Sequence, residues 1–233
     1  MNTRIKNILS ISIAIFPINI VMIWYRLTQN ATFSPMEMIL LPLLFGGSSI
    51  FLIFCLNKYF LHQKLTIFNE GESNWKIDLL ATVLLTIISF GLFYLGRITL
   101  MPLLTQNTPA SQDIINAIRA FSQNPLLLIL WFGPVLWIGI ALFEELSRIF
   151  FLKCLWNLSE NKKWVIFVIL FSSIMIGVVH LYQGIYGIIM ISLLSIIMAS
   201  YFYKFRRIGP LIISHALYDG IQFVFLLIEI SLV

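Results

Sequence analysis

The chain has 233 residues, of which 60% are apolar and 11% carry a formal charge. A soluble domain has about 25% charged side chains, so this composition excludes a water-soluble globular protein. The 15 Lys and Arg residues outnumber the 10 Asp and Glu residues, and the net charge of +5 suits a membrane with an anionic inner leaflet. Because the basic residues stand in short clusters between apolar blocks, we expect no nucleic-acid partner.

Seven apolar segments each approach the length of about 20 residues that a helix needs to cross the bilayer core. The first follows Arg4 and Lys6 as a secretory signal would, but it is long enough to span and no cleavage site follows it, so we interpret it as a retained helix. Residues 164–203 are uncharged and must turn near Gln183, because one helix of that length would run about 60 Å. The predicted spans are residues 8–25, 37–57, 78–96, 125–150, 164–182, 184–203 and 210–232.

The basic residues of the loops predict the orientation of these spans. Eleven lie in loops on one side, and only Arg26, Arg97 and Arg119 lie on the other. The positive-inside rule therefore predicts a multi-pass cell-membrane protein with a cytoplasmic N-terminus and an outer C-terminus. On the outer side, residues 113–121 form a predicted amphipathic helix. The eleven are Arg4, Lys6, Lys58, Lys64, Lys76, Lys153, Lys162, Lys163, Lys204, Arg206 and Arg207.

Titratable side chains inside the spans are expensive, at a few kcal/mol each, and therefore mark a functional interior. All those away from span ends fall in the last 90 residues. We expect an all-α helix bundle that forms one integral membrane domain, residues 1–233, in which residues 1–124 are supporting and residues 125–233 are catalytic. The six titratable residues are Glu144, Glu145, Arg148, His180, His215 and Asp219.

The fourth span carries two adjacent acids and one base. Glu144 and Arg148 are four residues apart and share a helix face, whereas Glu145 points about 100° away but can reach Arg148 at three residues. Arg148 can neutralise one carboxylate inside the bundle. One carboxylate then has no basic partner on this helix, and it is the first indication of a catalytic group.

The histidines complete the set. His215 and Asp219 lie four residues apart on the seventh span, so the carboxylate can fix the tautomer of the imidazole. Taken alone, His180 is better explained as an interfacial residue at a helix end. At 1.5 Å per residue, upright helices would place His215 about 8 Å, Glu144 about 16 Å and His180 about 24 Å from the inner surface, so a common site requires a tilted or displaced fifth helix.

These three motifs, in this order over residues 140–222, resemble the CPBP family of CAAX proteases and bacteriocin-processing membrane proteins. The family is described as intramembrane glutamic endopeptidases and includes the type II CAAX prenyl endopeptidases. The resemblance implies that Glu144 and His180 activate water for attack on a peptide carbonyl. It also implies that His215 and Asp219 stabilise the oxyanion, with Glu145 and Arg148 in support, and with neither metal nor cofactor.

The sequence departs from the family pattern at three positions. The family arginine falls where this chain has Ile149, and the arginine here is Arg148. Ile176 replaces an aromatic residue four positions before the first histidine. Asp219 stands at a position that is often Asn, and an ionised Asp cannot donate to an oxyanion, so it is either protonated or only orients His215.

Several other functions remain open from the sequence. Two Glu, two His and one Asp could hold zinc with an open position for water, although no His-Glu-x-x-His motif is present. A non-catalytic scaffold or bacteriocin-immunity protein would use the polar cluster as a binding pocket. A proton-coupled carrier also relays protons through acids and histidines, but the chain lacks an inverted repeat. The partners we expect are the lipid bilayer and a peptide or protein substrate of unknown identity, and the oligomeric state is not predicted.

Overall fold

A computed structural model describes residues 2–28, 34–72, 74–104, 112–159 and 161–231. It confirms the predicted all-helical fold: no strand occurs in these ranges, and their one isolated antiparallel bridge joins Asn69 and Arg207. The helices are α1 (Thr3–Ala14), α2 (Phe16–Thr28), α3 (Pro35–Cys55), α4 (Trp75–Thr99), α5 (Gln112–Ser122), α6 (Pro125–Leu130), α7 (Phe143–Trp156), α8 (Lys162–Val179), α9 (Gly184–Phe205) and α10 (Gly209–Ser231).

Seven helical segments of the described chain are long and apolar enough to cross a membrane, as predicted. The turn between the fifth and sixth lies where the uncharged stretch required it, because α8 ends at Val179 and α9 begins at Gly184. Gly184 has a φ of 76°, a conformation that glycine adopts without a steric penalty. The observed spans are Thr3–Tyr25, Pro35–Phe60, Trp75–Thr99, Pro125–Trp156, Lys162–Val179, Gly184–Phe205 and Gly209–Glu229.

The fourth span is not a regular α-helix. Between α6 and α7 the backbone forms a π-helix over Trp131–Leu142, and Gly133 departs from helical geometry with φ −87° and ψ −109°. Pro134 follows directly and has no N–H to donate, so the regular hydrogen-bond ladder cannot continue through it. The distorted segment ends two residues before Glu144, and π-helical segments of this kind are frequent beside functional sites.

Small residues allow neighbouring helices to approach closely. A Cβ atom added to Gly46 of α3 would lie 2.9 Å from the backbone oxygen of Gly139 in the π-helix. A Cβ atom added to Gly177 of α8 would lie 2.5 Å from the backbone oxygen of Ile188 in α9. Contacts between small residues are the usual means by which membrane helices associate, since lipid offers no hydrophobic driving force between them.

The buried apolar side chains form two clusters with the polar residues between them. Along the fourth span, Ala141 belongs to one cluster and Ile149 to the other. Along α10, Ala216 belongs to the same cluster as Ala141, and Leu211 belongs to the same cluster as Ile149. The predicted amphipathic helix is present as α5, and its Phe121 is fully buried in the second cluster. Glu144, Glu145, Arg148 and His215 therefore stand where the two apolar clusters meet.

The described basic loops gather at one end of the bundle. The Lys6 ammonium lies 5.7 Å from the centre of the Phe60 ring, and Lys153 Nζ lies 3.0 Å from Glu70 Oε1. The backbone N–H of Gly71 donates to the carbonyl of Arg206 at 3.2 Å. The N-terminus, the segment after α3, the end of α7 and the α9–α10 connection thus share one end, whose cytoplasmic location stays a prediction.

Candidate active site

The two adjacent glutamates occupy the first turn of α7 and have different surroundings. The Glu145 side chain is 1% exposed, whereas that of Glu144 is 29% exposed and faces a cavity. Arg148 donates to Glu145 Oε1 one helical turn away. The sequence left open which glutamate the arginine neutralises, and the ion pair identifies Glu145 as that one and Glu144 as the acid left over.

Glu145 also fixes the orientation of a histidine from another helix. His215 Nδ1 lies 2.7 Å from Glu145 Oε1 and donates to it, because the carboxylate paired with Arg148 can only accept. The second oxygen, Glu145 Oε2, and the Nε atom of Arg148 are buried without a hydrogen-bond partner among the described residues. Glu145 and Arg148 therefore connect α7 to α10 beside the cavity.

His180 is held by the end of its own helix. It caps α8 with φ −91° and ψ 20°, and its Nδ1 donates to the backbone oxygen of Ile176 at 2.9 Å. Since a carbonyl oxygen can only accept, this contact assigns the ring proton to Nδ1 and directs Nε2 towards Glu144. The distance from His180 Nε2 to Glu144 Oε2 is 3.9 Å. Ile176, which stands where the family has an aromatic residue, thus contacts His180 through its backbone carbonyl. Any residue at this position would supply that group.

His215 and Asp219 pair along α10 as predicted from their spacing. His215 Nε2 lies 3.3 Å from Asp219 Oδ2 and 3.8 Å from Glu144 Oε2. The structure therefore brings all six predicted residues together. It also resolves the unequal depths expected for upright helices, because α8 and α10 both bring an imidazole within 4 Å of Glu144.

A cavity of about 240 Å³ lies where these side chains meet. Its polar wall contains Glu144, His180, His215 and Asp219. Asp219 also lines a second, larger cavity of about 710 Å³ between α4, α9 and α10, so its carboxyl group stands at the boundary between the two. Half of the remaining lining of the smaller cavity comes from α2 and α3; the ten residues are Met22, Tyr25, Leu41, Pro42, Phe45, Gly139, Ile140, Phe143, Gln183 and Ile191.

Two polar residues of the cavity were not predicted from the sequence. Gln183 was assigned only to the turn before α9, although its place three residues after His180 was a usable signal. Tyr25 donates to Glu37 Oε1 at 2.9 Å and lies at the end of the first span, where tyrosine is common for interfacial reasons alone. Within the described ranges, no group of three or more His, Cys, Asp or Glu residues is arranged to hold a metal ion.

Comparison with known proteins identifies a family over the second half of the chain. Residues 125–221 match a family model described as type II CAAX prenyl endopeptidase Rce1-like. Neither the curated proteins nor the solved structures gave a match. The matched range contains all six residues of the site and begins at the first residue of α6. The match covers less than half of the chain. Over residues 125–221 it supports membership of the CPBP family of CAAX proteases and a function of the intramembrane-protease kind.

Proposed function

We propose that the protein is a glutamic intramembrane endopeptidase that hydrolyses a peptide bond of a membrane-associated protein or peptide with water activated by Glu144 and His180. One observation carries the proposal: a partly exposed carboxylate on α7 lies 3.9 Å and 3.8 Å from imidazole nitrogens on two other helices, at the wall of a cavity. Both distances exceed a direct hydrogen bond and suit a group that bridges them.

Glu144 and His180 act on the water. A water molecule about 2.8 Å from Glu144 Oε2 and from His180 Nε2 donates one proton to each, and its lone pair is then directed at the substrate carbonyl. As the carbon–oxygen bond forms, Glu144 takes the proton. It returns this proton to the leaving amine when the carbon–nitrogen bond breaks, which yields a carboxylic acid and an amine without a covalent enzyme intermediate. The acid then loses its remaining proton, the second proton of the water, to the amine.

His215 acts on the carbonyl oxygen. With Nδ1 donating to Glu145, a second proton on Nε2 makes the ring a cation whose N–H reaches the developing oxyanion. Asp219 Oδ2 lies 3.3 Å from the same nitrogen and shares its one N–H with the oxyanion, which holds the ring in place. In this role Asp219 only accepts, so the aspartate at a position that is often Asn does not need to donate. Glu145 and Arg148 support this arrangement without touching the substrate. Helices within residues 1–124 shape the cavity, and residues 125–233 supply the reacting groups.

The first test is Glu144→Gln, which keeps the shape of the side chain and removes the base. Membrane and secreted peptides from cells with the wild type are compared with those from cells with the variant, and with Glu72→Gln, an exposed loop residue, as the control. We expect cleavage products to disappear only with Glu144→Gln. Unchanged products or phenotype with a folded Glu144→Gln protein would instead establish a non-catalytic scaffold or immunity function.

The second test separates this mechanism from zinc hydrolysis. A peptide identified in the comparison is incubated with purified protein in the presence of a zinc chelator. We expect the rate to be unchanged, because the carboxylate and imidazoles act on water directly. A rate that falls with chelator and returns with added zinc contradicts the metal-free mechanism while leaving the family assignment intact.

A further inference from the structure

A polar groove of about 690 Å³ lies at the basic end of the bundle, apart from the active site. Three cationic side chains line it, Lys64, Lys153 and Arg206, and they face one acid, Glu70. The cations come from three regions of the chain: the segment after α3, the end of α7 and the connection between α9 and α10. The fold therefore concentrates positive charge in one concave place from sites distant in sequence.

The cations are held in place by their surroundings. The Lys153 side chain is only 8% exposed, and its Nζ lies 3.0 Å from Glu70 Oε1. The Arg206 guanidinium carbon lies 4.2 Å above the Trp156 ring, so the planar group is oriented by stacking. Trp156 lines the groove as well and stands at the end of a span, the level at which aromatic residues mark the membrane–water interface.

The backbone of Arg206 is also fixed. Its φ of 55° is in the left-handed region, which is unfavourable for a residue with a Cβ atom. The conformation is retained because the Arg206 N–H donates to Phe202 at 2.8 Å and its carbonyl accepts from Gly71 at 3.2 Å. Arg206 ends α9 as its left-handed C-cap, and the two hydrogen bonds fix the point at which its side chain enters the groove.

We propose that this groove binds a phosphate group, and that its position at the membrane surface favours the headgroup of an anionic phospholipid. Arg206 offers a planar set of donors that matches phosphate oxygens, and the lysines act as point charges. The groove has two more cations than anions, so it attracts an anion even with Glu70 present. This proposal is independent of the catalytic mechanism and concerns a different end of the bundle.

Glu70 allows a test in which the affinity for the anion is expected to rise. Its side chain is 44% exposed and occupies Lys153 in the way that a phosphate oxygen would. Glu70→Gln should therefore strengthen anion binding, by about threefold as expected for an exposed ion pair. Glu72→Gln removes the same charge from an exposed position in the same loop but outside the groove, and should change nothing. A gain in affinity cannot result from misfolding.

The experiment measures lipid binding to the purified full-length protein by native mass spectrometry and by the shift in Tm. Binding of phosphatidylglycerol is compared with binding of phosphatidylcholine. Inorganic phosphate and glycerol phosphate are tested as soluble probes. We expect phosphatidylglycerol to bind and Arg206→Gln to weaken it by about tenfold, the usual loss for one charged hydrogen-bond donor. Lys162→Gln, an exposed basic residue outside the groove, is the matched control.

Each outcome decides the proposal. Binding of phosphatidylglycerol that falls with Arg206→Gln and rises with Glu70→Gln supports a lipid headgroup site. The same pattern with the soluble phosphates alone supports a phosphate site that is not occupied by lipid. Equal effects of Arg206→Gln and Lys162→Gln, or of Glu70→Gln and Glu72→Gln, mean that only general surface charge attracts the anion, and they overturn the proposal. No binding of any of the four probes also overturns it.

Discussion

Two sets of buried polar side chains, one in α4 of the first half (residues 1–124) and one joining α7 and α10 in the second half (residues 125–233), are satisfied in different ways. In α4 the hydroxyl groups of Thr82, Thr86 and Ser89 each donate to a backbone oxygen four residues earlier in the same helix. In the second half, His215 of α10 donates to Glu145 of α7. The first arrangement exists in any isolated helix, whereas the second exists only when two helices are packed. The Glu145–His215 bond therefore depends on the packing of α7 against α10.

The cavity does not follow this division. Met22 and Phe45 of the first half line it together with Glu144 and His180 of the second. The matched family range begins only at residue 125, so the shape of the cavity depends on helices outside that range. We infer that the second half determines the reaction and that the first half influences which substrate fits.

The largest expected effect concerns the histidines of the second half. His180→Asn and His215→Asn each remove a group that we propose acts on water or on the oxyanion, and we expect the rate to fall by about 10²- to 10⁴-fold. The third histidine of the chain, His62, lies in a loop after α3, is exposed and has a φ of 54°, which asparagine tolerates. His62→Asn is therefore the control and should retain full activity. Full activity of the His180→Asn or the His215→Asn variant would contradict the inference that the second half of the chain determines the reaction.

The next effect separates the adjacent glutamates by stability. Glu145→Gln leaves the buried Arg148 without its ionic partner, and we expect the free energy of unfolding to fall by about 3–5 kcal/mol. Glu144→Gln changes a carboxylate that faces the cavity and should leave stability nearly unchanged. Denaturant unfolding of both variants in detergent measures the difference. Equal stabilities would show that the Glu145–Arg148 pair does not hold α7 in place.

Much of this arrangement could be predicted from the sequence, because membrane spans and motif spacing are local properties. The turn at Gly184 and the pairing of His215 with Asp219 follow from chain length and the helical repeat. The height of one helix relative to another is not local. Upright helices put the two active-site histidines about 16 Å apart in depth, yet both lie within 4 Å of Glu144.

The π-helix shows why the assembly could not be derived in the same way. Residues 125–150 are predicted to form one span. The pair Gly133-Pro134 was an available signal for a break, but it does not show that the distortion extends to Leu142. Such a segment changes the direction in which the glutamates of the following turn point. Which glutamate pairs with Arg148 depends on that direction and on the approach of α10, so spacing alone left both possible.

A moderate effect is expected where the two halves touch. Gly46→Ala would place a Cβ atom 2.9 Å from the Gly139 backbone, which cannot move aside as a flexible side chain can. We expect a loss of about 1–3 kcal/mol in stability and a smaller loss of activity, because α3 must shift away from the cavity wall. Gly47→Ala is the control, since nothing lies within 4 Å of its added Cβ atom. The same stability for both variants would mean that the close glycine contact does not join the two halves.

The smallest expected effect tests whether the first half selects the substrate. Met22→Ala enlarges the cavity from α2 without touching a polar group, and lost apolar contact should raise KM about tenfold with kcat unchanged. Ile20→Ala on the same helix is the control, because that side chain is 62% exposed and lies outside the cavity. A fall in kcat at constant KM would instead mean that α2 holds the reacting groups in position. The division between a half that reacts and a half that selects would then no longer describe the molecule, because the first helices would contribute to the transition state as well as to binding.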